Sequence, residues 1–152
     1  MNEKNIQNDV IATGSVRKQL FNAEGILIYD HTDHNLVVTI GKVYLAAWLA
    51  AASQAGKFMS WVGLGTSSTA PVVGQTDLVT PLATRVQGTL TSSTNTWQNV
   101  ISFAPGVDTG AITEAGLFSV TSGGTMFARQ VFGAVSKGAG DTFVLTWTVT
   151  FN

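Results

Sequence analysis

The stretch Phe143–Phe151 constrains the fold more than any other part of the chain. Phe143, Leu145, Trp147, Val149 and Phe151 alternate with Val144, Thr146, Thr148 and Thr150. Successive side chains of a strand point to opposite faces, so one face here is aromatic and aliphatic and the other mostly threonine. Such a segment lies against a core on one side only, as a half-buried antiparallel strand does. It needs neighbouring strands and a second layer to cover its apolar face. The 20 threonines of the chain fit that requirement, because β-branched residues suit a pleated surface.

Further short alternating runs supply the neighbours. Ser15–Phe21 carries Val16 and Leu20 on one face and Arg17 and Gln19 on the other. The turn residues Asn22–Gly25 separate it from Ile26–Tyr29, which predicts a hairpin. Met59–Leu64 is a short apolar run followed by a loop, Gly65–Asp77, holding Pro71 and Gly74. Pro81 argues against a helix after it. Arg85–Leu90 and Thr96–Phe103 flank Thr91–Asn95 as a second hairpin, with Trp97, Ile101 and Phe103 on one face. Ala104–Gly110 reads as a loop. Ala111–Val120 and Thr125–Phe132 surround Ser122-Gly123-Gly124, a tight-turn signal, and Gly133–Gly140 reads as a second glycine-rich loop.

One segment has helical spacing instead. Ile40, Val43, Tyr44, Ala47, Trp48 and Ala51 form a stripe over residues 40–52, with Thr39 as N-cap and Gly56 near the exit. The opposite face is only weakly polar, which predicts a helix sandwiched between other elements. The fold class is therefore mainly β: an antiparallel β-sandwich, jelly-roll-like, with one early α-helix at about residues 40–52. At 152 residues the chain is one domain, 15–152, preceded by an N-terminal arm, 1–14. Extended, the arm reaches about 45 Å. Ile6, Val10 and Ile11 are its candidate anchors for intersubunit contacts.

Composition removes several function classes. The absence of cysteine excludes disulfides, thiolate metal sites and cysteine nucleophiles. Charged residues are 11% of the chain and the net charge is −1, so no basic patch can be assembled and nucleic acid is not an expected partner. The longest apolar stretch, Val43–Ala52, is too short to span a bilayer, so no membrane is expected. The polar start, Met1–Asp9, does not read as a signal peptide. So low a net charge favours association.

Catalytic chemistry finds little support. Asp30, His31, Asp33 and His34 are four potential metal ligands within five residues, but an extended chain puts His31 and His34 on opposite faces. No metal and no cofactor is expected. Glu114 and Asp108 could be paired on paper as two carboxylates; Glu114 reads more simply as a residue satisfying nearby backbone donors. Gly63-x-Gly65 completes no phosphate-binding fingerprint, and its glycines suit turns or close backbone approach. Trp48, Trp61, Trp97 and Trp147 could form a sugar-stacking platform, yet each sits in an apolar pattern that explains it as core. No enzymatic activity is expected.

One set of motifs goes beyond composition: Asn35–Val38 entering the helix, the Gly63–Pro71 loop, the Glu114–Phe118 strand and the Lys137–Phe151 ending. Together these resemble a family of small virion structural proteins of tailed bacteriophages, over nearly everything from Ser15 onward. The resemblance implies a non-enzymatic head decoration, or cement, protein. Such a protein would be made in the bacterial host cytoplasm, bound to the outer capsid surface of the virion, and partnered by the major capsid protein. It implies self-association as a homotrimer, with a dimer as the alternative. A tail, baseplate or fibre component is the second role the resemblance allows. A carbohydrate-binding module using the tryptophans is a third reading, from the residues alone.

Overall fold

The computed structural model describes residues 12–49 and 58–151. Among these the elements are β1 (Ala12–Phe21), β2 (Leu27–His34), β3 (Leu36–Val37), α1 (Thr39–Leu49), β4 (Trp61–Gly65) and β5 (Pro81–Gln87). They continue with β6 (Thr89–Ser93), β7 (Thr96–Phe103), β8 (Gly110–Phe118), β9 (Met126–Lys137) and β10 (Thr142–Phe151). One sheet has the order β2-β1-β10-β7-β6 and the other β3-β9-β8-β4-β5, with every pairing antiparallel. The protein is mainly β, with one helix among the described residues and two sheets packed as a sandwich.

The alternation in β10 explains its central place. Paired with β1 on one side and β7 on the other, it turns Phe143, Leu145, Trp147 and Val149 inward, all buried. They meet Val16, Leu20, Ile101 and Phe103 of the same sheet, and Val62, Leu64, Ala115, Leu117 and Phe132 of the facing one. Each fully buried large apolar side chain contributes about 1.5–3 kcal/mol relative to exposure.

Several expectations need correction. The helix begins one residue early, and Val38 rather than Thr39 caps it. The Val38 carbonyl accepts the N–H groups of Gly41 (3.1 Å) and Lys42 (3.2 Å), while the Thr39 N–H donates to the carbonyl of Val73 (2.8 Å). The start of the expected stripe is also corrected, while the side chains of Ala47, Trp48 and Ala51 lie outside the described residues. Ile40 and Val43 are 41% and 60% exposed, whereas Gly41 is buried against the Phe127 backbone and Leu45 packs on the core. A side chain at position 41 would collide with that backbone, so the glycine sets which face approaches the sheet. Over residues 40–45 the helix therefore meets the sheet through β9 and leaves Ile40, Lys42 and Val43 exposed, where a sandwiched helix was expected.

Arg85–Leu90 is not one strand. Gly88 divides it, sending β5 into one sheet and β6 into the other. A Cβ there would overlap the side chains of Asn99 and Ile101. Nor is Gly133–Gly140 a loop, since β9 runs on to Lys137 through a register shift that places Phe132–Ala134 opposite Thr113. Such a bulge accommodates two extra residues without ending the pairing. Finally, β1 starts at Ala12, so the last three residues of the expected 1–14 arm belong to the sandwich. Ile6, Val10, Ile11 and Gly56 lie outside the described residues.

Candidate functional site

Phase changes along β8 create a second, outer cluster. A register shift between Ile112 and Glu114 lets Ile112, Ala115 and Leu117 all join the inter-sheet core. Glu114, Gly116 and Phe118 are left facing away from it. The loop between β4 and β5 covers them, placing Leu78 with Phe118, Met126 and Val38 in a separate buried cluster.

Glu114 is fully buried in mid-strand, and its two carboxylate oxygens gather the loop. Oε1 accepts the backbone N–H groups of Thr80 (2.8 Å) and Ser67 (3.3 Å); Oε2 accepts the backbone N–H of Val79 (3.2 Å) and the side-chain Nε–H of Arg129 (2.8 Å). Arg129, on the neighbouring β9 and equally buried, also brings Nη2 to 2.7 Å from Oε2. Its Nη1 donates to the Thr69 carbonyl (3.0 Å) and to Gln75 Oε1 (3.1 Å), and Gln75 Oε1 in turn accepts the Val72 N–H (3.0 Å). A bond from the Thr66 N–H to the Thr80 carbonyl (3.0 Å) closes the base. The segment 66–80 is thus a compact closed loop with a buried ion pair at its centre.

The glycines on the floor permit this approach. A Cβ on Gly65 would stand 2.5 Å from both Glu114 Oε1 and the Thr80 carbonyl. One on Gly116 would stand 2.9 Å from Leu78 and 2.8 Å from the Phe118 ring. The guanidinium of Arg85 lies 3.4 Å from the centre of the Phe118 ring and donates to the carbonyls of Gly123 (2.6 Å) and Val120 (3.3 Å). It also reaches Asp77 at 3.3 Å, which fastens the loop to the β8–β9 turn.

What this structure presents to solvent is apolar. Val72, Val73 and Val79 are 60%, 52% and 48% exposed. The Val73–Thr39 bond sets the loop beside the first turn of α1, where Ile40 and Val43 are exposed. A loop held by a buried charge pair keeps such side chains in fixed positions, which suits recognition of a surface. It does not suit acid–base chemistry, because both oxygens of Glu114 are already occupied by donors. Asp108 has no part in the cluster: it lies near Thr84 and Lys137, and burial pushes its carboxyl above the ordinary value.

The remaining sequence candidates scatter. Asp30 is held by Arg17 and Gln19, and Asp33 by Lys18 and His31. Among the described residues no three metal-ligand side chains converge. Trp147 is core, Trp61 packs on the outer cluster, and Trp97 lines an apolar cavity of about 200 Å³ with Tyr44, Leu45, Phe127, Val149 and Phe151. None of these three indoles is exposed. Sequence reasoning gave Glu114 its backbone-donor role but missed Arg129. The signal was a lone cation inside the apolar run Met126–Phe132. No family model matches the chain, and neither curated proteins nor solved structures match it.

Proposed function

We propose that this chain is a phage virion structural protein, a head decoration subunit that docks on the outer capsid through the clamped loop 66–80. The observation that carries the reading is the Glu114–Arg129 pair. Burying two charges costs several kcal/mol each unless compensated, and here the two bond each other, the backbone of one loop and the Gln75 side chain. That arrangement fixes an exposed apolar surface and leaves no free catalytic group in it. The motifs behind the virion resemblance support the same reading, since Gly63–Pro71 and Glu114–Phe118 meet at this clamp. A decoration protein of nearly neutral charge must hold its shell through buried apolar area, with Val72, Val73 and Val79 as the contact residues.

Mass spectrometry with copy counting on purified virions tests the proposal. Hundreds of copies per particle are expected. A handful would move the protein to the tail, baseplate or fibre, and none would remove it from the virion. Val72→Asp with Val73→Asp should abolish sedimentation with expanded heads while leaving the melting temperature nearly unchanged.

A further inference from the structure

Strand β2 is the outermost strand of its sheet, and among the described residues it pairs only with β1. Its far side offers a row of backbone donors and acceptors, which is a template for another strand. Next to it Ile26, Leu27 and Ile28 are 60%, 44% and 55% exposed. We infer that this edge pairs with β2 of a second copy, antiparallel and about a two-fold axis through Thr32.

The charge pattern selects both the partner and the register. An antiparallel two-fold pairing keeps inner faces with inner and outer with outer, so it must be centred on a residue. Centred on Thr32, it sets Asp30 opposite His34 of the second copy and His31 opposite Asp33. The sequence Asp30-His31-Thr32-Asp33-His34, read backwards, exchanges every acid for an imidazole. A centre on Asp30 or Asp33 would oppose two carboxylates, and one on His31 would oppose two imidazoles. Like charges directly opposite destabilise a pair, so centres on Asp30 or Asp33 are disfavoured, and only the Thr32 centre matches each acid with an imidazole.

The surroundings allow two such edges to meet. Arg17 and Lys18 of β1 hold Asp30 and Asp33, which balances the charge on each side of the axis. Lys42 of α1 lines the cleft beside His34, so it adds to the attraction for Asp30 of the second copy. The exposed Ile26–Ile28 segment overhangs the end of the other β2, adding apolar area to the ladder. The result is a two-fold dimer with one continuous sheet, in place of the trimer that the resemblance implies.

Sedimentation equilibrium of the full chain tests this without capsids, so its outcome is independent of the virion reading. Wild type should form a reversible dimer. Thr32→Lys and Thr32→Glu each set like charges on the axis and should weaken association by about tenfold or more. Mixed in equal amounts they should form a heterodimer that neither forms alone. Because Thr32 is exposed, both variants should melt like wild type. A wild type that stays monomeric at millimolar concentration would overturn the inference. So would a Thr32→Lys chain that associates as wild type does, or a mixture that stays monomeric.

Discussion

Lys18 carries a full charge into the sandwich. It is completely buried, bonded to Asp33, and its ammonium lies 4.6 Å from the centre of the Phe132 ring. Asp33 answers for that charge. Partial burial alone would raise its carboxyl, but the Lys18 hydrogen bond and charge, with smaller help from His31, outweigh this and hold it below the ordinary aspartate value. A folded value below the unfolded one gives stabilisation that is complete above about pH 4 and is lost as pH falls through the folded value. Acid therefore strips Lys18 of its counter-charge. The melting temperature should drop steeply from about pH 4 downward. Asp33→Asn should lower the neutral plateau and flatten that drop. An acid limb equally steep in the variant would assign the lability to other carboxylates.

At the scale of elements, what was legible in the sequence depended on whether periodicity survived intact. β10 keeps a strict period of two from Thr142 to Phe151, so its inward set could be read directly. β8 and β9 do not, because register shifts put residues of both parities on one face, and the glycines around Gly133 then imitate a loop. The helix misled for a related reason: its close approach to the sheet is made at Gly41, a residue that hydrophobic patterning does not score. The clamp was half legible. Glu114 looked like a partner for backbone donors, but nothing local ties residue 114 to residues 67, 79 and 80. Only the pairing of β4 with β8 brings them together. Close approach across that pairing is what the floor glycines provide, so Gly65→Ala should cost about 1–3 kcal/mol in a denaturation experiment. Gly74→Ala, with open space around it, should be nearly neutral. Equal costs would mean that the loop does not sit down on β4.

The molecule as a whole is two sheets around one core, with a loop bolted to the outside of the second sheet. Whether that loop belongs to the same cooperative unit decides whether it can serve as a docking face. An ordinary surface loop opens with little free energy and exchanges its amide hydrogens quickly. Here three loop amides donate to a buried carboxylate, and removing one member of a buried charge pair typically costs about 3–5 kcal/mol. Arg129→Lys is the milder disruption, since it keeps the charge but loses the forked contact. The most direct measurement is native-state hydrogen exchange resolved at Ser67, Val79 and Thr80, in wild type and in Arg129→Lys, with β10 amides as the reference. In wild type the three loop amides should be protected to nearly the same degree as β10. In the variant they should exchange at least about tenfold faster relative to β10. Fast exchange of these amides in the wild type, or a variant in which they keep step with β10, would contradict the clamp and the docking face built on it.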